Sequence, residues 1–196
     1  MLTTDLRNGY ERLFASCNTV APHEAAVGAF NKLVLSGADR YKIVEAATKV
    51  PWYVIALIHG MEADFAFNCH LHNGDPLSAR TIHVPRGRPA EGEPPFKWET
   101  SAADALSYDS FLSWSDWSIA GICYKLEGYN GWGYRAHHIN SPYLWSFSNN
   151  YERGKYTSDG HWDQDAVSQQ VGAITALKEL IDGEMIALEA EEAPQT

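Results

Sequence analysis

The chain has 196 residues, 45% hydrophobic and 20% charged, which is enough to bury one sizeable core without disulfides or a structural metal. Its formal net charge of −10 argues against a nucleic-acid partner, because binding to phosphates relies on clusters of Lys and Arg that this sequence lacks. No apolar run reaches the roughly 20 residues of a membrane span, and no basic segment leads into an apolar one at the N-terminus, so a chain synthesised in the cytoplasm without a signal peptide is expected.

The predicted elements are mostly helices. Leu6, Tyr10, Leu13 and Phe14 recur at helical spacing from Thr3 to about Ser16, with Asp5 near the start. Pro22 opens a second helix running through Leu35 to Gly37, and a third follows from Ala38 with Tyr41, Val44 and Ala47 on its apolar face. Pro51 marks a new start. The fourth helix, WYVIALIHGME, is apolar almost all round, as in a helix that runs through the centre of a domain. Beyond it the texture changes. Asn73-Gly74 is a turn signal, and with the alternation Arg80, Thr81, Ile82, His83, Val84 it predicts a small β-hairpin lobe from about Cys69 to Val84. The proline- and glycine-rich VPRGRPAEGEPPF reads as an extended loop. Helices resume with Thr100 or Ser101 as cap, and again from about Ser115 to Glu127. The stretch from Tyr129 to Gly160, dense in Gly, Asn, Ser, Tyr and Trp, is too long for an ordinary connection and reads as a functional loop. A last long helix is predicted from Gln164 to Leu188. A monomeric α+β chain of one domain, residues 1–196, is expected, mostly helical, ending in an acidic tail from about residue 189.

Three scattered cysteines, Cys17, Cys69 and Cys123, leave at least one thiol free and point to synthesis in a reducing compartment. Seven Trp and ten Tyr suit a carbohydrate binder, since aromatic rings stack on sugar faces, and they suit core filling equally well. The strongest single candidate is Glu62. A carboxylate at the end of a nearly all-apolar helix is placed where burial would keep it protonated, as a glycosidic general acid requires. Asp75 follows the Asn-Gly turn and Thr81 lies six positions beyond it, supplying the second group that glycoside hydrolysis needs across the sugar.

The pattern Glu62, Asp75, Thr81 resembles the phage-type lysozymes, whose Asp-x5-Thr half it reproduces, although the arm of twelve residues between Glu62 and Asp75 is longer than theirs. The run WYVIALIHGMEADFAFN is similar to the opening motif of soluble lytic transglycosylases and goose-type lysozymes, and LEGYNGWGYR resembles their later Ala-Tyr-Asn signature. These resemblances imply a lysozyme-like fold that cuts peptidoglycan glycan strands at the cell wall, with Glu62 as acid and Asp75 and Thr81 directing a water in an inverting hydrolysis. They also imply substrate contacts at Tyr129 and Asn130; Tyr134 is expected to bind substrate as well, and Tyr143 or Trp145 of the aromatic stretch is placed on the cleft wall as a stacking platform. A lytic transglycosylase, which uses one Glu and releases an anhydro-sugar, is the alternative within enzymes; a chitinase shares part of the substrate. A non-catalytic peptidoglycan-binding or structural domain is the alternative of another class.

His70, His72, Asp75, His83 and the His137-His138 pair could be imagined around zinc, but no His-Glu-x-x-His or paired Cys-x-x-Cys occurs, and no metal or cofactor is expected.

Overall fold

The computed structural model describes residues 1–158 and 160–188. The fold is α+β and mostly helical, with a single two-stranded antiparallel sheet among the described residues. No helix among these residues is long and apolar enough to cross a membrane. The expected acidic tail from about 189 lies outside the described residues. The chain divides into two compact units, one made of residues 28–115 and the other of residues 1–27 with 116–196.

The first unit is built on four helices. Most of α2 (Glu24–Ser36) belongs to it, followed by α3 (Ala38–Thr48), α4 (Trp52–Ala63) and α5 (Trp98–Tyr108). Residues 53–61 of α4 are all buried, which explains why its sequence has no polar face. Tyr41 and Val44 of α3 and Trp98, Ala102 and Leu106 of α5 bury their faces in the same core, and α3 packs against both α4 and α5. Pro51 caps α4 without a side-chain bond; instead the Glu45 carboxylate accepts from the Trp52 N–H at 2.8 Å, satisfying one of the orphan donors of the first turn and complementing the helix dipole. Helix α5 starts about one turn before the predicted cap at Thr100 or Ser101, with Lys97 as the cap residue.

Between α4 and α5 the predicted hairpin lobe of residues 69–84 is absent. The Asn73-Gly74 turn forms, with Gly74 at φ +77, but only one isolated bridge, Cys69 to Pro76, follows from it. The reason is that the backbone donors of residues 82, 83 and 88 go to the side chains of Asp75 and Thr81, so no ladder partner is left for them, while the prolines beyond have no donor to offer.

The second unit pairs α1 (Thr4–Ala15) with α6 (Ile119–Asn130). Thr3 caps α1, and Ser118 caps α6 by accepting from the Gly121 N–H. Two single-turn helices follow, α7 (Gly133–Ala136) and α8 (Pro142–Trp145), then the hairpin β1 (Lys155–Ser158) and β2 (His161–Asp163), then α9 (Ala173–Asp182). The observed sheet therefore lies inside the stretch expected to be irregular. The last helix is shorter than predicted, because Asp163 Oδ1 accepts from the Asp165 and Ala166 amides and turns the chain. Val167 is consequently 48% exposed and outside the helix. At its start, Gly172 lies so close to α8 that a Cβ there would meet the Leu144 carbonyl oxygen at 2.5 Å and the Ser146 nitrogen at 2.6 Å; only glycine permits this packing of α9 on α8.

Candidate functional site

Glu62 sits on the last turn of α4, one residue before its end. The buried run stops at Met61, and Glu62 is exposed, so the burial expected to hold its proton is not found in the free protein. What distinguishes the position is the exit of the chain. Asp64 and Phe65 follow with φ 47 and φ 58, two successive left-handed residues without a glycine. A bulky residue in this region costs on the order of 1–3 kcal/mol and persists only where its surroundings hold it. The Phe65 ring is held edge-on to Phe30 at 4.8 Å and to His59 at 6.0 Å. Close packing leaves no room for a side chain at Gly60, where a Cβ would come within 2.5 Å of both the Phe30 and Phe65 rings. His59, one turn before Glu62, is fully buried; its Nδ1 meets the Tyr41 hydroxyl at 2.9 Å, and burial pulls its pKa down to about 4. A neutral, immobilised imidazole thus anchors the helix turn that carries the carboxylate.

Asp75 and Thr81 have other occupations. Asp75 is 6% exposed. Its Oδ2 accepts from the Ile82 and His83 amides at 2.8 and 3.0 Å, and its Oδ1 lies 2.6 Å from His83 Nδ1. The bond from the His83 amide, helped by the His83 ring and the Ile82 amide and opposed by burial, holds its carboxyl at about 2, a carboxylate engaged by its own loop. Thr81 is 2% exposed; its hydroxyl donates to the Pro85 carbonyl and accepts from the Arg88 amide at 2.8 Å. Both side chains expected to direct a water are instead fasteners of the 75–88 loop.

His70 of the same segment is similarly spent, and His72 is tied to α5 through one ring nitrogen while its buried Nδ1 has no partner among the described residues. His70 bridges Ser101 Oγ at 2.6 Å and the Ala79 carbonyl at 2.8 Å. His72 meets Asp104 at 2.8 Å, and burial lowers its pKa despite that carboxylate. Arg88 closes the set with two bonds to Asp104 at 2.9 and 2.6 Å. Among the described residues no group of three or more His, Cys, Asp or Glu is placed to hold a metal ion.

In the other unit, the expected substrate contacts divide. Asn130, at the end of α6, and Tyr134 line one concavity of about 500 Å³ together with Tyr156, Thr157 and Ser158 of β1. Two of its lining rings, Tyr134 and Tyr156, meet at 5.4 Å; behind them Trp162 packs on Tyr134 at 5.9 Å and stacks on His137 at 3.7 Å with 3° between the planes. Tyr129 is half-buried, with its ring 6.3 Å from that of Tyr143. Tyr143 and Trp145 do not form platforms. They are 9% and 1% exposed, because α8 is buried throughout, and Trp145 in particular fills the core of its unit.

Sequence reasoning missed the β1–β2 hairpin, with Tyr156 and Trp162, although the Asp159-Gly160 dipeptide between Lys-Tyr-Thr-Ser and His-Trp-Asp is a hairpin signal of the kind used, in the wrong place, at Asn73-Gly74. It also missed Glu127, a carboxylate on the apolar stripe of α6 four residues after the buried Cys123. Set against family models, curated proteins and solved structures, the chain matches none of them.

Proposed function

We propose that the chain cleaves peptidoglycan glycan strands with Glu62 as the general acid, acting without a second catalytic carboxylate. The observation that carries this reading is the placement of Glu62: an exposed carboxylate on the final turn of a helix buried from residue 53 to 61, fixed from behind by His59 and from ahead by the left-handed pair Asp64 and Phe65. Spending backbone strain to immobilise an exposed acid makes sense if that acid meets a substrate. The commitment of Asp75 and Thr81 to their own loop favours the single-acid reaction of a lytic transglycosylase over the inverting hydrolysis that the Asp-x5-Thr spacing implied. In that reaction the Glu62 carboxyl gives its proton to the glycosidic oxygen as the bond to the anomeric carbon breaks. The resulting carboxylate then takes the proton of a hydroxyl of the same muramic acid unit as that oxygen closes on the anomeric carbon, so no water is consumed. On the other unit, exposed Asn130 offers a polar edge of the kind that sugar hydroxyls bind.

The test is digestion of purified sacculi by wild type and Glu62→Gln, with the products weighed by mass spectrometry. Anhydro ends, lighter by one water, are expected from wild type and no products from the variant. Intact sacculi with wild-type protein would overturn the reading and leave a non-catalytic wall-binding domain.

A further inference from the structure

Within the unit that holds α1 and α6, a second cavity of about 400 Å³ is lined by Leu6, Gly9, Tyr10, Glu127, Arg135 and Trp145, with Asp5 and Asn140 among the remaining wall residues. At its floor three polar groups converge. The Tyr10 hydroxyl donates to Glu127 Oε2 at 2.5 Å, and one Arg135 nitrogen, Nη2, reaches the Tyr10 oxygen at 2.7 Å and the same Oε2 at 2.6 Å. Glu127 is only 4% exposed. Its second oxygen has no partner among the described residues, and neither do Nε and Nη1 of Arg135. The Arg135 side chain is exposed while that of Glu127 is nearly buried, so a solvent-facing guanidinium stands beside a carboxylate that lines the cavity. The pair keeps bonding capacity that Asp75, whose oxygens are both engaged, does not.

We propose that this cavity binds a single saccharide unit through the open oxygen of Glu127 and the open N–H groups of Arg135. An anion entering it meets the Glu127 and Asp5 carboxylates, and a cation meets a guanidinium. A hydroxyl can both donate to the carboxylate and accept from the guanidinium, and neighbouring hydroxyls on a sugar ring match an acceptor set beside donors. Leu6, Leu13 and Ile139, each half-buried, offer apolar surface to the C–H groups of a sugar. The volume is within the range of small-ligand pockets, about 300–1,000 Å³. This inference does not depend on Glu62 being an acid.

Calorimetric titration of the full chain with monomeric N-acetylglucosamine tests it, with sodium acetate and ethylamine hydrochloride as charged controls. Saturable millimolar binding of the sugar alone is expected, about tenfold weaker in Glu127→Gln. Gly9→Leu serves as the second variant, because a Cβ at Gly9 meets nothing within 4 Å and the added side chain occupies the cavity while sparing the polar floor. Binding should be lost in it while its helical circular dichroism matches wild type. No sugar binding by wild type, binding unchanged in Gly9→Leu, or a preference for acetate or ethylamine would overturn the proposal. Should Glu127→Gln fail to fold, Gly9→Leu decides alone.

Discussion

The loop of residues 68–96 and the stretch of residues 127–163 look alike in sequence, both irregular, both rich in Gly and in side chains capable of chemistry, yet the fold treats them oppositely. In the first, the polar groups that drew notice are paired with one another: Asp75 with residues 82 and 83, Thr81 with 85 and 88, and His70 and His72 with α5. In the second, Asn130 and Tyr134 border a concavity, and Glu127 and Arg135 keep bonding capacity beyond their own pairing. A side chain whose bonds are all made within its own loop is there to shape that loop. One held in place with capacity to spare can act on something else.

Four experiments break or sharpen this contrast. Glu62→Gln should lower the rate of glycan cleavage by about 10²–10⁴-fold, the usual loss when a general acid is removed, while thermal unfolding stays within about 0.5 kcal/mol of wild type because the side chain is exposed. A large stability loss would place Glu62 among the fasteners.

The next largest effect is on acid stability. His59 is neutral in the fold with a pKa of about 4, whereas in the unfolded chain it takes up a proton near its ordinary value of about 6.5. Unfolding therefore binds a proton between these limits. Stability present above about pH 6.5 falls as the pH drops towards 4, by about 3 kcal/mol from this residue. Urea unfolding at pH 7 and pH 4.5 reads it, and His59→Gln should flatten the slope. An unchanged slope would mean that another group carries it, His72 being the first alternative.

Asp75→Asn should cost about 2 kcal/mol at pH 7, since the bonds that hold this carboxyl at about 2 prefer the charged form. For the same reason the wild-type contribution is present above about pH 4 and disappears as the pH falls through about 2. The smallest effect belongs to Asn130→Ala. Being exposed, it should leave stability within about 0.5 kcal/mol while kcat/KM on sacculi drops about tenfold, the equivalent of one substrate hydrogen bond. An equal kcat/KM would remove Asn130 from the substrate surface.

The long helices were legible because burial stamps a period of 3.6 on the chain, as in Leu6, Tyr10, Leu13 and Phe14 of α1, and because the unbroken apolar run after Pro51 marks α4. The hairpin was not, because Asn73-Gly74 and Asp159-Gly160 are equivalent turn signals, and which one grows strands depends on where the neighbouring backbone donors go. Those of residues 82 and 83 go to Asp75, a choice invisible without coordinates. Of the candidate site, Glu62 was legible from the helix it ends. The role of Asp75 was misread because a carboxylate after a turn has the same spelling whether it meets a sugar or its own loop. Glu127 was hidden by lying on an apolar stripe, where a lone carboxylate stands out only once Tyr10 and Arg135 are seen around it.

The central claim, that Glu62 does the chemistry and Asp75 only shapes its loop, is tested most directly by cleavage of sacculi per folded molecule of Asp75→Asn, with product masses recorded. The account predicts a rate within about threefold of wild type and anhydro ends unchanged, despite the lower stability. A variant that is folded at the assay temperature yet inactive, or wild-type products that carry the mass of an added water, would contradict it.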